Sequence, residues 1–125
     1  MRADAVLIAL SLVLLVMAIV CVCNLRATAL DLMEQARAAQ DLLAFDPDRA
    51  EQEVDALYRR WMSVERRWQF VSIHDDLMEV TLAVTEARDA LDCDDTDAAY
   101  MALTRTVIAL DAVLHKELPT PGNIF

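Results

Sequence analysis

The chain has little of what punctuates or cross-links a fold. Of its 125 residues, one is glycine (Gly122) and three are proline (Pro47, Pro119 and Pro121). Without turn residues at regular intervals, collagen-like, low-complexity and all-β organisations are excluded. A lone glycine at position 122 also excludes a glycine-rich phosphate loop. Cysteine is scarce: Cys21 and Cys23 lie in an apolar run and Cys93 stands alone in the remainder, so neither a disulfide framework nor a zinc spacing can be assembled. The serines (Ser11, Ser63, Ser72) and histidines (His74, His115) make no Ser/His/Asp or Cys/His nucleophile set. No catalytic residue, cofactor or metal is therefore expected, and the chain does not read as an enzyme. Positive charge is the last shortage. Eleven Lys+Arg against 21 Asp+Glu leave a net charge of −10, which argues against binding nucleic acid through its phosphates and against a polybasic grip on anionic lipid.

What is present is apolar and unevenly placed. Residues 5–23 hold one polar residue, Ser11, and no charge. At 1.5 Å per residue such a helix spans roughly 28 Å, close to the hydrocarbon thickness of a bilayer. Inside lipid every backbone N–H and C=O must be satisfied within the helix, which uninterrupted Leu, Val, Ile and Ala permit. Residues 1–25 are expected to form an amino-terminal transmembrane anchor, touching the bilayer through residues 5–25. The apolar run exceeds the 7–15 residues usual in a cleaved signal peptide. Ala27-Thr28-Ala29 resembles a cleavage site, with Arg26 directly before it. Flanking charges nearly tie, Arg2 and the α-amino group against Asp4 on one side, Arg26 and Arg37 on the other. An uncleaved signal-anchor would make this a single-pass protein of the cell membrane with its acidic domain extracytoplasmic.

Residues 26–118 read as an all-α domain and residues 119–125 as a carboxy-terminal tail. Leu25, Ala29, Leu32, Ala36, Ala39 and Leu43 recur at steps of three and four, so the anchor is expected to run straight into a first bundle helix. Asp46 and Pro47 supply an N-cap and a first helical position. A second helix over about 47–67 carries Ala50, Val54, Leu57, Trp61, Val64 and Trp68. A third, capped by Ser72 with Asp75, carries Ile73, Leu77, Val80, Val84, Ala87 and Leu91. After the acidic loop 92–97 a fourth helix presents Ala99, Leu103, Val107, Leu110 and Leu114. Leu42, Asp46, Asp48, Ala50 and Val54 are echoed 49 residues later by Leu91, Asp95, Asp97, Ala99 and Leu103. The expected architecture is an antiparallel bundle of about four helices, built as two αα-hairpins and tetratricopeptide-like by analogy only.

Few residues suggest a contact site. His74, Asp75 and Asp76 are adjacent, so their side chains diverge on a helix rather than converging on a metal. Asp111 and His115, at i and i+4 near a helix end, form a local pair. Trp61 and Trp68 share a helix face and are core residues or, alternatively, the wall of a ligand pocket with His74. Arg59, Arg60, Arg66 and Arg67 are the one basic cluster, suited to neutralising nearby carboxylates or, in the sharper reading, to docking an acidic partner. Trp61, Trp68, His74, Arg66 and Arg67 are thus the candidate ligand or partner contacts.

In the order of its motifs the chain resembles a family of small bacterial membrane-anchored proteins classed as a domain of unknown function (number four-three-six-three, chiefly from Firmicutes). The shared pattern is a transmembrane helix, an acidic turn leading to a small residue (46–50), Trp61, the segment Ile73-His74-Asp75-Asp76-Leu77, and a closing Asn123-Ile124-Phe125. Asp76 stands where the family pattern has Glu. The resemblance implies a helical domain on a membrane anchor and no activity, with packing roles for His74 and the closing Ile-Phe. The expected function is a membrane-tethered interaction or scaffold module of the bacterial envelope, engaging a protein partner or a second copy. The alternative is an extracytoplasmic domain that binds a small ligand.

Overall fold

A computed structural model describes residues 1–69 and 74–117, without the side chains of residues 74, 116 and 117. It contains α1 (Arg2–Phe45), α2 (Pro47–Trp68), α3 (His74–Asp92) and α4 (Thr96–Glu117), and no strand among the described residues. The expected Ser72 cap, the Ile73 packing position and the tail lie outside the described residues.

The first helix is continuous for 44 residues, or about 66 Å. Within it the environment changes. None of residues 1–24 is buried, whereas Ala29, Leu32, Met33, Ala36, Ala39 and Leu43 are. This is the expected stripe, with Leu25 half-buried and Met33 added. Its apolar first half is long and hydrophobic enough to cross a membrane.

A single residue ends α1 and starts α2. The Asp46 backbone N–H donates to the Leu42 carbonyl at 2.8 Å, closing the last turn of α1. Its Oδ1 accepts from the Arg49 N–H at 3.2 Å, capping α2, while Pro47 occupies the first helical position, where a missing N–H costs nothing. The second hairpin repeats this chemistry 49 positions on. Asp95 Oδ1 accepts from the Ala98 N–H at 3.1 Å. The Ala50 and Ala99 N–H groups each donate to the capping residue's carbonyl at 3.0 Å, and both alanines are fully buried. The sequence echo therefore corresponds to one hairpin entry used twice. The loops differ, because α3 unwinds through Asp94 at φ 55, a left-handed position that Asp tolerates better than most residues with a Cβ.

Each helix packs on the next and α4 closes on α1, so the order around the bundle is α1-α2-α3-α4. Cross-helix contacts fix the directions. Asp31 pairs with Arg60, Trp61 meets Thr81, and Glu86 pairs with Arg105, as antiparallel neighbours require. The α1–α2 and α3–α4 turns consequently lie together at one end. The end of α2 and the start of α3 lie at the other, beside the apolar half of α1. The core holds Leu32, Leu57, Trp61, Leu77, Leu103 and Leu110, interleaved with Ala36, Ala39, Ala50, Ala87 and Ala99, whose small side chains let the backbones approach.

One stripe differs from expectation. In α4 the buried positions are Ala99, Ala102, Leu103, Thr106, Leu110 and Val113, whereas Val107 and Leu114 are half-buried. The helix presents a slightly rotated face because it sits between α3 and α1 and must serve both. Thr106 is tolerated there because its hydroxyl donates to the Ala102 carbonyl at 2.9 Å, which leaves no donor unsatisfied.

Candidate functional site

The two tryptophans are brought together in the core. Trp61 is 1% exposed and Trp68 5%, and their rings meet edge to face with centroids 5.7 Å apart at 83°. The Trp61 indole N–H donates to Thr81 Oγ1 at 2.9 Å, and that hydroxyl donates onward to the Leu77 carbonyl at 3.2 Å. The one polar atom of the Trp61 side chain is thus satisfied by α3. The ring serves as a packing centre joining α2 to α3. The His74 side chain lies outside the described residues.

The basic cluster divides in two. Arg59 pairs with Asp55 at 3.2 Å. Arg60 reaches Asp31 at 2.6 Å and donates to Gln35 Oε1 at 3.3 Å. Asp55 also receives Arg88 at 3.5 Å, and the Arg88 guanidinium lies 4.5 Å above the Tyr58 ring. These exposed pairs each contribute at most about 1 kcal/mol, and set helix register more than stability. Arg66 and Arg67, two turns further along α2, are exposed, and no carboxylate among the described residues pairs with them. Arg67 and Trp68 line a small cavity of about 200 Å³ with Cys21, Asn24, Leu25 and Thr28, where the apolar half of α1 meets the bundle.

At the opposite end Asp48, Glu51, Gln52, Asp55, Arg88 and Asp92 border an open groove. Among the described residues no group of acidic, histidine or cysteine side chains is placed to hold a metal ion. His115 and Asp111 form the expected local pair, with Nδ1 2.8 Å from the Asp111 carbonyl and 3.3 Å from its carboxylate.

A second surface escaped the sequence reading. Between α3 and α4 a groove of about 330 Å³ has Leu82, Ala83, Ile108, Ala109 and Ala112 along it, and Asp76, Glu79, Glu86 and Arg105 at its edges. Leu82 is 52% and Ile108 62% exposed, and Met101, two turns before Ile108 on the same face of α4, is exposed as well. The signal was in the sequence: Met78 and Leu82, like Met101 and Ile108, stand at helical spacing off the buried stripe.

No protein-family model, no curated protein and no solved structure matches this chain.

Proposed function

We propose that the chain is a membrane-tethered interaction module of the bacterial envelope, with α1 as a single-pass signal-anchor and the bundle on the extracytoplasmic side. The observation that carries this reading is the division of α1. One unbroken helix has an apolar half that touches no other part of the chain's core and a second half that is one wall of it. A soluble bundle gains nothing from some two dozen exposed residues of this composition, whereas a bilayer covers them at about 25 cal/mol per Å² of apolar surface removed from water.

The interaction role rests on the α3–α4 groove. Exposed Leu82 and Ile108 between carboxylates suit a helix that brings an apolar stripe, from a partner protein or a second copy. The Trp61–Trp68 pair favours this reading over a ligand pocket, because Trp61 spends its face on Thr81 and Trp68.

Two measurements test the proposal. A photo-reactive residue placed at Ile108 in native membranes should form a defined crosslink that the same residue at Arg59 does not; equal labelling from both positions overturns the groove. Cys93 is exposed and lies beyond the apolar segment. A membrane-impermeant thiol reagent should label it in intact cells, and labelling only after lysis would reverse the orientation.

A further inference from the structure

Composition alone argued against a grip on anionic lipid, but placement matters more than the total. We propose that Arg26, Arg66 and Arg67 form a collar at the foot of the bundle that binds the phosphate headgroups of anionic lipids. The inference rests on the membrane-anchor reading and goes beyond it by assigning the bundle itself a lipid contact.

Three observations carry it. First, four arginines of the bundle are paired with carboxylates: Arg59 with Asp55, Arg60 with Asp31, Arg88 with Asp55 and Arg105 with Glu86. Arg26, Arg66 and Arg67 are exposed and, like Arg37 and Arg49, have no such partner among the described residues. They alone of these five stand next to the end of the apolar run in sequence or at the end of α2. Second, their level is fixed. Arg67 lies against Cys21, Asn24 and Leu25, the residues at which the apolar run ends, and this is the depth at which headgroup phosphates sit. Arginine suits it, since its stem packs on apolar surface while the guanidinium stays at the phosphate layer. Third, helix-dipole compensation does not account for the arginines. α2 ends at the membrane and carries Arg66 and Arg67 in its last turn. α1 and α3 end at the far side and carry no basic residue there. If the dipole set the pattern, all three ends would share it. At the same end Asp76 and Glu79 line the α3–α4 groove, and Glu65, the neighbour of Arg66 in α2, is buried. The collar is therefore one-sided, along α1 and α2.

The test uses the full chain. In detergent, native mass spectrometry compares retention of phosphatidylglycerol with that of phosphatidylcholine. The unmodified protein should favour the anionic lipid by about tenfold or more, at roughly fivefold per arginine near the surface. The triple variant Arg26→Gln, Arg66→Gln, Arg67→Gln should fall to near parity with unchanged helical circular dichroism, and the corresponding Arg→Lys triple should keep most of the preference. Arg49→Gln, at the far end, should change nothing. Parity in the unmodified protein overturns the collar, as does an equal loss from Arg49→Gln. Displacement by inorganic phosphate beyond that caused by chloride of the same ionic strength would indicate a site for free phosphate and overturn the lipid assignment. Flotation with pure phosphatidylcholine vesicles separates the two proposals. Unmodified and triple-Gln proteins should both float through α1, and failure of both removes the anchor reading itself, and the collar with it.

Discussion

The two halves of α1 share one backbone and one set of helical hydrogen bonds, yet they are held by different surroundings. In the first half apolar residues occur on every face and none is buried by the protein. In the second most of the large ones fall on one stripe, whose buried members are three alanines (Ala29, Ala36 and Ala39) and three large residues (Leu32, Met33 and Leu43), with Leu30 and Phe45 exposed off it. All-round hydrophobicity makes sense against a solvent that is the same in every direction, and a stripe makes sense against neighbours on one side. The helix passes from one pattern to the other near residues 24–29, where the segment apolar enough to cross a membrane gives way to the bundle.

The sharpest way to break this comparison is to make one substitution in both halves. Leu32 is completely buried, and Leu32→Ala should lower the bundle's stability by about 2–5 kcal/mol, the cost of lost apolar contact plus an incompletely collapsed cavity. Leu14→Ala should leave the bundle's thermal midpoint unchanged, because Leu14 is 59% exposed and touches no core. Thermal unfolding of the full chain, followed by circular dichroism, reads both. Equal destabilisation would mean that the first half packs against protein. A charge reverses the assignment of harm. Leu14→Arg places a guanidinium near the middle of the apolar run and should weaken membrane insertion by about 2.5–3.5 kcal/mol. Its readout is the fraction resisting alkaline extraction, with bundle unfolding unaffected.

How far these features could be read without coordinates follows from the same contrast. The bundle half of α1 and the whole of α2 were legible because their apolar residues fall on one face, and Asp46-Pro47 has a single conformational meaning as cap and first helical position. α4 was legible as a helix and most of its inward face was too, with Ala99, Leu103 and Leu110 buried and Val107 and Leu114 packed at the core's edge, but Ala102, Thr106 and Val113 were missed. Ala102, Val107, Ile108 and Leu114 spread apolar character around it, and periodicity cannot say which of two adjacent stripes meets a neighbour. The same ambiguity hid the α3–α4 groove, since an apolar residue facing outward looks like one facing in. The Arg66–Arg67 pair was visible as charge but not as location. Its nearness to Cys21 and Leu25 depends on α2 turning back at Asp46 and running the full depth of the bundle, a tertiary fact.

A smaller perturbation sharpens the contrast in packing. Ala36 is fully buried, so Ala36→Leu should force neighbouring helices apart and cost about 1–3 kcal/mol in thermal unfolding. Ala18→Leu in the exposed half should cost the bundle nothing, because extra methyl groups there meet only the surrounding medium.

The smallest expected effect concerns the helix starts at which the two hairpins repeat each other. Asp46 and Asp95 make the same N-cap bond to the residue three positions on, at 3.2 and 3.1 Å. Removing either carboxylate by Asp46→Ala or Asp95→Ala should cost about 1 kcal/mol, the usual value of a cap. The two sites are not equivalent in what else they do. Both close the preceding helix with their backbone N–H, Asp46 to the Leu42 carbonyl and Asp95 to the Ala90 carbonyl, each at 2.8 Å, bonds that alanine keeps, but at the first site Pro47 also holds the next residue's φ in place whatever the side chain at 46. Asp95 has no proline after it, and it follows Asp94 in its left-handed conformation. Asp95→Ala should therefore be the more harmful of the pair, and the difference should shrink when Asp94→Gly relaxes the preceding residue. Equal losses at both sites, unaffected by Asp94→Gly, would show that the cap bond alone sets the start of each helix and that the differing turns contribute nothing.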